Sequence, residues 1–540
     1  MTDRNWGLRT VPDVLVAEYV ERGFWSDASL GDLVAAGLGS KGEAAFRVHS
    51  QVHPWSGTFG DVDHAARSLA GALRARGIGP GDVIAFQVPN WVEAGITFWA
   101  AAYLGAAVVP IVHFYGAKEV DYILRVTQPA VVITADRFGQ SDFAATYAEL
   151  VPRHGSPLWL VVDSQGGALP AGATRFADLL DETPIDGPAK VDPDSVAVIA
   201  FTSGTTRDPK GVIHTQRTIG CETRQLHRMF PDLPPPPITG APVGHFIGMV
   251  NAFLVPLMRT TPVNLVDVWD PGRILKLMLD EDLAMAGGAT YFLTSVLDHP
   301  DFTDEHRKRM PFSGLGGSTV PIAVTDRAER MGIKCYRSYG STEHPSITVS
   351  YLEEPQDKRC TTDGHVIEGV EVRLADDGEI FSRGPDLCLG YTDPALTAAA
   401  FDPDGWYRTG DVGVIDAEGY LSITDRVSDI IIRGGENISA QEVEELMLGM
   451  ESIAEVSVVA APDDRLGEHA AAVVRTRPGA AFPTLAQIRD HLAGAGLAKQ
   501  KWPESLHEVA EFPRTPSGKV QKFQLRQALR EGRLPAVENR

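Results

Sequence analysis

Short apolar segments alternate with helix-like segments through most of the 540-residue chain, and this alternation constrains the fold more than any other feature of the sequence. The segments typical of buried strands are 83–88, 108–112, 130–134, 158–162 and 196–201. Helical patterns at 61–76 and 92–104 separate some of them. Strands that alternate with helices are typical of largely parallel sheets covered by helices. The sequence therefore predicts an α/β architecture.

The pattern changes toward the carboxy terminus. Segments 371–382 and 419–424 predict hairpin strands with Asp-Gly and Glu-Gly turns. After residue 430, apolar strand patterns and helix patterns fit a compact α+β unit of roughly 110 residues, the size of one small domain. We therefore predict two domains, 1–425 and 426–540.

Charge and composition exclude several classes of protein. The chain carries 49 basic and 71 acidic side chains, a formal net charge of −22, which generally repels nucleic acid and anionic lipid. Segment 94–112 has no charged residue but is interrupted by Gly105 and Pro110. It predicts a buried helix followed by a core strand rather than a membrane span. The four cysteines fit neither a zinc site nor a disulfide framework, which indicates a reducing, cytoplasmic compartment.

A loop rich in hydroxyl groups follows the predicted strand 196–201. Its backbone N–H groups, hydroxyls and lysine suit a polyphosphate. Lys210 is followed by Gly211 rather than Ser or Thr, so the loop is not a Walker loop and a P-loop phosphotransferase is disfavoured. A polar surface turn is the alternative. The residues that carry the signal are Thr202, Ser203, Gly204, Thr205, Thr206 and Lys210.

This loop resembles the phosphate loop of the adenylate-forming superfamily, which includes acyl-CoA synthetases, luciferases and peptide-synthetase adenylation domains. Later segments resemble further motifs of that family in the right order: 314–318, 339–343, 407–411, 425–438 and 513–519. The resemblance implies a large N-terminal domain of stacked α/β sheets plus a small barrel-like part, followed by a small mobile α+β C-terminal domain. It favours the acyl-CoA synthetase branch.

The resemblance implies a site for ATP or AMP with Mg²⁺. Tyr339 offers a flat face to adenine, Asp411 can accept from two ribose hydroxyls, and Arg426 presents a fixed fork to ribose or phosphate. Glu343 and Thr206 supply oxygens for the metal. Taken singly, each residue has a structural alternative: a core tyrosine, a surface ion pair of arginine or a helix-capping glutamate. A lone aspartate after glycine is more often a turn residue. The other implied nucleotide-binding residues are Gly316, Gly317, Ser318, Gly340 and Thr342, with Thr342 donating to the α-phosphate.

Lys519 is the principal catalytic candidate, with His245, Thr342 and Glu343. A carboxylate that attacks a phosphate of ATP brings two anions together, and a cation must neutralise the oxygens between them. For a lone lysine the alternative is a solvated surface residue.

His245 resembles the histidine beside the family's acyl pocket, where it would orient the substrate or gate the thiol path. An ordinary packed histidine is the alternative. An apolar lining predicts a bulky hydrophobic acid, such as an alicyclic, polycyclic or medium-chain one. The predicted pocket residues are His245, Phe246, Met249, Phe253, Tyr291 and Gly316, with Gly244, Gly248, Gly287 and Gly288 expected to leave room.

The resemblance implies two half-reactions, in which the acid first becomes acyl-AMP and coenzyme A then takes the acyl group. The small domain would rotate near 428–429 and bring Arg433, Gly434, Gly435 and Glu436 to the active site for coenzyme A. Many relatives have glycine where Arg207 stands, and Asp or Lys where Ser428 stands. A thioesterification-only enzyme acting on a preformed acyl-adenylate therefore stays open, as does a non-catalytic nucleotide-binding protein. A peptide-synthetase fragment and luciferase-type oxidation are disfavoured, and a homodimer is possible.

Overall fold

The computed structural model describes residues 6–164, 166–202, 209–231, 235–259, 261–318, 320–427, 429–433, 436–463, 465–514 and 519–537. The helices are α1 (Asp13–Glu21), α2 (Leu30–Lys41), α3 (Phe59–Ala75), α4 (Val92–Leu104), α5 (Ala117–Thr127), α6 (Phe143–Leu150), α7 (Gln216–Met229), α8 (Phe246–Phe253), α9 (Val255–Met258), α10 (Pro271–Asp280), α11 (Thr290–Leu297), α12 (Asp304–Lys308), α13 (Ile322–Arg330), α14 (Gln356–Thr361), α15 (Pro394–Ala400), α16 (Ala440–Met447), α17 (Leu485–Gly494) and α18 (Lys522–Arg530).

Within the described residues, the strands form six sheets. They are β1 (Ala45–Val48), β2 (Trp55–Thr58), β3 (Val83–Gln87), β4 (Ala107–Pro110), β5 (Val131–Ala135), β6 (Arg137–Phe138), β7 (Ser141–Asp142), β8 (Leu158–Val162), β9 (Ala173–Arg175), β10 (Val196–Thr202), β11 (Lys210–Thr215), β12 (Val263–Leu265), β13 (Gly287–Gly288), β14 (Phe312–Leu315), β15 (Lys334–Tyr339), β16 (Thr348–Val349), β17 (His365–Val366), β18 (Glu371–Leu374), β19 (Glu379–Arg383), β20 (Gly390–Tyr391), β21 (Tyr407–Ile415), β22 (Leu421–Arg426), β23 (Ile431–Arg433), β24 (Glu436–Ile438), β25 (Ile453–Asp463), β26 (Gly467–Thr476) and β27 (Ser505–Glu508).

The largest sheet contains the five strands predicted from the apolar segments. Its order is β20-β11-β10-β4-β3-β5-β8-β9, and the strands from β10 to β9 pair in parallel. The predicted α/β architecture is confirmed. The fully buried α4 packs in the same core and leads into β4, so the uncharged segment 94–112 is a core helix and strand, as predicted. Within the described part of the chain, no helix has the length and apolar character needed to cross a membrane.

Three smaller sheets extend this first part of the chain. They have the orders β12-β1-β2, β13-β14-β15-β16-β17 and, wholly antiparallel, β18-β19-β21-β22. The last contains both predicted hairpins. A further two-strand ribbon joins β6 and β7.

Local capping sets the start of α3. The helix begins at Phe59, two residues before the predicted start, because the Thr58 hydroxyl accepts from the Asp61 N–H while the Asp61 carboxylate accepts from the Thr58 N–H. These reciprocal bonds satisfy N–H groups that the first helical turn leaves without partners. Asp61 therefore lies inside the first turn, and the sequence pattern placed the boundary too late.

Residues 431–537 build their own sheet and core. The sheet order is β24-β23-β26-β25, and β27 pairs in parallel with β26. One face packs on α16 and α17 around Ile431, Val443 and Ile488, which are fully buried. The other face packs on α18 through Leu525. This is the α+β arrangement that the sequence predicts. All four cysteines of the chain are buried and free.

Candidate nucleotide and acyl site

Asp411 occupies the centre of a hydrogen-bonded group at the end of the four-stranded sheet. The β21–β22 register places it opposite Arg426, whose Nε lies 2.5 Å from Asp411 Oδ1. The other oxygen, Oδ2, accepts from the Tyr339 hydroxyl at 2.7 Å. Asp411 is only 5% exposed. Its negative charge raises the pKa of Arg426, and burial together with Asp411 raises the pKa of Tyr339. Three residues that are distant in sequence thus form one charged unit.

Tyr339 is the last residue of β15, and the chain turns sharply after it. A side chain at Gly340 would place its Cβ 1.9 Å from the Pro345 carbonyl oxygen, so only glycine fits here. Gly316 lies against residue Ser338 of the same strand, where an added Cβ would be 2.7 Å from the Ser338 hydroxyl. The turn 316–318 and Tyr339 are therefore neighbours, as an adenine site requires. Gly317, in this turn, has a φ of +72°, the left-handed region that favours glycine.

Glu343 is held through both its side chain and its main chain. Its Oε1 accepts from the Tyr391 hydroxyl at 2.9 Å, and its carbonyl accepts from the Cys388 N–H at 2.8 Å. Glu343 is 8% exposed. Together Tyr339, Glu343, Asp411 and Arg426 form what we call the nucleotide side.

The phosphate loop begins and ends on paired strands. Thr202 and Lys210 face each other across β10 and β11, and the Nζ of Lys210 lies 5.8 Å from the centroid of the Tyr391 ring. His214, farther along β11, contacts the carbonyl oxygen of Thr342 through Nε2 at 2.7 Å. The ends of the phosphate loop are thus tied to the segment that carries Thr342 and Glu343. The predicted residues Ser203, Gly204, Thr205 and Thr206, and also Arg207, lie outside the described residues.

A fully buried polar network supports the loop after Tyr339. The Nδ1 of His344 is 2.8 Å from the Ser382 hydroxyl, and its Nε2 is 3.3 Å from Asp386 Oδ1. This order of serine, histidine and aspartate is that of a hydrolytic triad, but none of the three has exposed surface, so no substrate can reach it. The Ser346 hydroxyl donates to buried Glu222 at 3.1 Å. Burial and Asp386 raise the pKa of Glu222 well above its usual value. The network fixes backbone geometry and performs no chemistry.

Lys519 lies close enough to the nucleotide side for its charge to interact with that of Arg426, Asp411 and Glu343, and we call the region that these residues share the cleft. Its surface remains accessible to solvent, yet protein groups surround its ammonium. Desolvation and the Arg426 guanidinium lower its pKa, while the carboxylates of Asp411 and Glu343 oppose that shift. The cleft therefore gathers two cations and two carboxylates. A nearly balanced set of charges can respond to an incoming anionic nucleotide without a large desolvation penalty.

His245, which immediately precedes α8, also interacts electrostatically with Lys519. Desolvation, with smaller contributions from Lys519 and His113, lowers the pKa of His245 to about 4, so the ring is neutral at physiological pH. Its Nε2 is buried without a hydrogen-bond partner among the described residues. The Phe114 ring centroid lies 6.0 Å from that of His245. We call His113, Phe114 and His245 the acyl side.

The glycines near the acyl side make close backbone contacts and do not leave room, which corrects the prediction. Added Cβ atoms would lie 2.5 Å from Val112 Cα at Gly244, 2.2 Å from the Pro242 carbonyl oxygen at Gly248, and 2.0 Å from the Gly314 carbonyl oxygen at Gly287. At Gly288 the added atom would lie 3.1 Å from the Phe292 ring. Close approach of two backbones is a common use of glycine. Here it seats the segment after β4 against His245.

Three of the predicted pocket side chains are buried, and one, Tyr291, is exposed. Phe253 and Met249 are fully buried, and Phe253 packs on Phe98 with centroids 5.7 Å apart, so Phe253 belongs to the core and not to a pocket lining. Phe246 lies beside His214, with centroids 4.6 Å apart. Tyr291 is 40% exposed and faces Arg514, whose guanidinium carbon lies 5.9 Å from its ring.

The segment predicted to bind coenzyme A lies at the start of the C-terminal sheet. Arg433 and Glu436 are paired across β23 and β24, and Arg433 Nε lies 2.5 Å from Glu504 Oε1. Gly434 and Gly435 fall outside the described residues, as does Ser428. The structure thus shows Arg433 occupied by a partner within its own unit.

Comparisons with known proteins identify the family. Residues 44–392 match the family model described as AMP-binding enzyme, and residues 442–519 match that of the AMP-binding enzyme C-terminal domain. The chain belongs to the adenylate-forming superfamily, in its acyl-CoA synthetase branch.

Relatives and solved structures agree over nearly the whole chain. The medium-chain fatty-acid–CoA ligase of Escherichia coli (strain K12) is 33% identical over 529 residues, which cover 94% of this chain and 92% of that protein. The 3-[(3aS,4S,7aS)-7a-methyl-1,5-dioxo-octahydro-1H-inden-4-yl]propanoyl:CoA ligase of Rhodococcus jostii (strain RHA1) is 34% identical over 488 residues, covering 87% and 93%. The crystal structure of ATP-bound MatB from Rhodopseudomonas palustris superposes with a TM-score of 0.81 at 26% identity, covering 93% and 99%.

Several residues of the site were missed by the sequence analysis. Tyr391 contacts Glu343 and Lys210, and His113 and Phe114 face His245. A signal was available for His113 and Phe114, because they lie within four residues of the end of β4 and ligand sites form beyond the carboxyl ends of parallel strands. Tyr391 lies in a strand of only two residues, which has no pattern to detect.

Proposed function

We propose that this chain is an acyl-CoA synthetase that converts a hydrophobic carboxylic acid to acyl-AMP and then to its coenzyme A thioester. The observation that carries the proposal is the position of Lys519, which shares one cleft with Arg426, Asp411, Glu343 and His245. From a position near both the nucleotide side and the acyl side, a lysine of the carboxy-terminal segment can act on both substrates.

In the first half-reaction, a carboxylate oxygen attacks the α-phosphorus of ATP, the bond to the β-phosphate oxygen breaks, and pyrophosphate leaves. Lys519 and Thr342 stabilise charge on the oxygens around the α-phosphorus. Asp411 and Arg426 hold the ribose, and Tyr339 with the turn 316–318 holds adenine. Donor chemistry at Glu343 fits Mg²⁺, because a buried carboxylate supplies the hard oxygen that this metal prefers. When bound by Glu343 and Thr206, the metal would offset phosphate charge.

The second half-reaction forms a carbon–sulfur bond as the bond from the acyl carbon to the phosphate oxygen breaks, AMP leaves with the electron pair, and the proton of the thiol passes to solvent. We propose that residues 426–540 rotate between the two halves and bring Arg433, Gly434, Gly435 and Glu436 to the thiol path. His245 is neutral, so it borders the acyl group without adding positive charge. A cytoplasmic setting and a homodimer remain predictions.

The acid is proposed to be hydrophobic, of medium chain length or with an alicyclic or polycyclic ring system. The acyl side supports this, because it consists of neutral rings. The relatives named above act on a medium-chain fatty acid and on a fused-ring propanoic acid. A second carboxylate on the substrate would need a cation there, and His113 and His245 are both neutral at physiological pH.

The decisive experiment supplies ATP, Mg²⁺, coenzyme A and a panel of linear, alicyclic and polycyclic monocarboxylic acids. AMP, pyrophosphate and the thioester should form together and depend on the acid. ADP formation would contradict the proposal. Thioester formed from synthetic acyl-AMP, but not from acid and ATP, would identify a thioesterification-only enzyme. Nucleotide binding without any turnover would identify a non-catalytic protein.

A further inference from the structure

Tyr391 connects the two segments of the nucleotide side that would hold phosphate and metal. Its hydroxyl donates to Glu343 Oε1 at 2.9 Å, and its ring lies 5.8 Å from the Nζ of Lys210. Glu343 follows β15, whereas Lys210 begins β11 after the phosphate loop. One side chain therefore sets the spacing between a carboxylate and a lysine that belong to different sheets.

The backbone of Tyr391 is fixed before any ligand binds. β20 pairs with β11 through Val212 and Tyr391, and the Tyr391 N–H donates to the Thr397 hydroxyl at 2.9 Å. Gly390 has a φ of +136°, and a Cβ there would lie 2.6 Å from the Thr397 side chain. The Tyr391 side chain is 3% exposed. A donor held this rigidly loses little entropy when it orients its acceptor.

The direction of the hydrogen bonds is also fixed. A phenol has one proton, and Tyr391 gives it to Glu343, so its oxygen is left to accept from buried Tyr407. Tyr407 opens the motif that ends in Asp411, so the chain of bonds reaches toward the ribose-binding segment.

We infer that Tyr391 is a positioning residue for the ATP half-reaction: it occupies Oε1 of Glu343, directs Oε2 toward the metal of Mg-ATP, and keeps Lys210 beside that carboxylate. The inference rests on the function proposed above. Tyr391 touches neither substrate in this arrangement. Partners that orient a metal-binding carboxylate typically affect metal affinity by about 10- to 100-fold.

The test is Tyr391→Phe, which removes the hydroxyl and keeps the ring beside Lys210. The Mg²⁺ concentration that gives half-maximal acyl-AMP formation should rise by about tenfold or more, and excess Mg²⁺ should restore most of the rate. Mn²⁺ binding to the enzyme with a non-hydrolysable ATP analogue, measured by electron paramagnetic resonance, should weaken in parallel. The Michaelis constant for the acid and thioester formation from synthetic acyl-AMP should stay within about twofold of wild type.

Two matched variants sharpen the test. Tyr407→Phe should shift the Mg²⁺ dependence in the same direction by about threefold, because it removes only the second bond of the chain. Tyr147→Phe removes another fully buried tyrosine hydroxyl, one without a partner in the described structure, and should leave both half-reactions unchanged.

Two results would overturn the inference. One is an unchanged Mg²⁺ dependence and Mn²⁺ affinity in Tyr391→Phe. The other is an equal loss in both half-reactions, which would indicate a general structural role. Failure of the proposed function is a separate outcome, because the wild-type protein itself would then form no AMP from acid and ATP.

Discussion

The nucleotide side and the acyl side of the cleft are built on different physical principles. On the nucleotide side, Asp411 and Glu343 are held by directed bonds of 2.5–2.9 Å from residues on several strands. On the acyl side, Phe114 and His245 meet at a ring separation of 6.0 Å, and the buried Nε2 of His245 has no partner among the described residues. Directed bonds discriminate strongly between ligands, whereas apolar contacts discriminate weakly. We therefore expect strict selectivity for the nucleotide and broader selectivity for the acid.

The largest expected effect lies where the two sides meet. Lys519→Ala should slow acyl-AMP formation by about 100- to 1000-fold, because one cation at a developing charge contributes on this scale. Thioester formation from synthetic acyl-AMP should remain close to wild type. Stopped-flow or quenched-flow measurement of each half-reaction provides the check.

The matched control is Lys499→Ala, an exposed lysine of the same unit, which should leave both rates unchanged. Equal loss of both half-reactions in Lys519→Ala would contradict a role confined to the first half.

The nucleotide side should be the next most sensitive. Asp411→Asn removes the negative charge and one of the two oxygens that accept from Arg426 and Tyr339. Lost charge-assisted bonds of about 1.5–3 kcal/mol correspond to an affinity for ATP that is about 10- to 100-fold weaker. Calorimetry with ATP provides the measurement. The control, Asp416→Asn, changes an aspartate in the turn of the same hairpin, where it pairs with Lys358 at 2.7 Å. Similar affinities for ATP in the two variants would contradict the role assigned to Asp411 in holding the nucleotide.

The acyl side should respond less, and selectively. Phe114→Ala should lower kcat/KM for hydrophobic acids by about fivefold to tenfold, since the ring is half-buried and burial of a whole side chain contributes about 1.5–3 kcal/mol. The Michaelis constant for ATP should not change. A panel of ring-containing and linear acids measures the effect, and Phe523→Ala, an exposed ring on α18, is the control. A change in ATP affinity without a change in acid preference would contradict the assignment of Phe114 to the acyl side.

The smallest effect concerns the buried network behind the nucleotide side. The folded-state pKa of Glu222 is raised above its unfolded value, so its contribution to stability is complete at low pH and is lost as pH rises through the folded pKa. Glu222→Gln should therefore lose less than about 1 kcal/mol relative to wild type near pH 6, where a glutamate in the unfolded chain is already ionised. As the pH rises further, the balance should shift toward the variant by up to about 1.4 kcal/mol per pH unit until the pH reaches the folded pKa, and it should then level off.

Urea unfolding of both proteins between pH 6 and 9 measures this difference. A variant that loses several kcal/mol at pH 6 would show that Glu222 is ionised in the folded protein.

The sequence predicted most strongly what depends on local pattern. Five apolar runs became neighbouring strands because burial on both faces requires continuous apolar sequence. The burial of a polar side chain leaves no such pattern in the local sequence. Helix α7 carries buried Glu222 and Gln225, which the sequence does not distinguish from surface residues, and Tyr391 lies 48 residues from Glu343. The glycines were misread because an absent side chain either leaves space or allows close contact, and only the opposing backbone decides.

The β22 strand ends at Arg426, which Asp411 anchors, while Asp429 pairs with Arg526 of α18 at 2.8 Å. Two residues separate these anchored positions. If the carboxy-terminal unit rotates here as proposed, very few backbone torsions must absorb the rotation. One of the two anchored residues, Arg426, belongs to the groups proposed to hold ribose. Exchange of nucleotide and reorientation of the carboxy-terminal unit would therefore involve the same side chain.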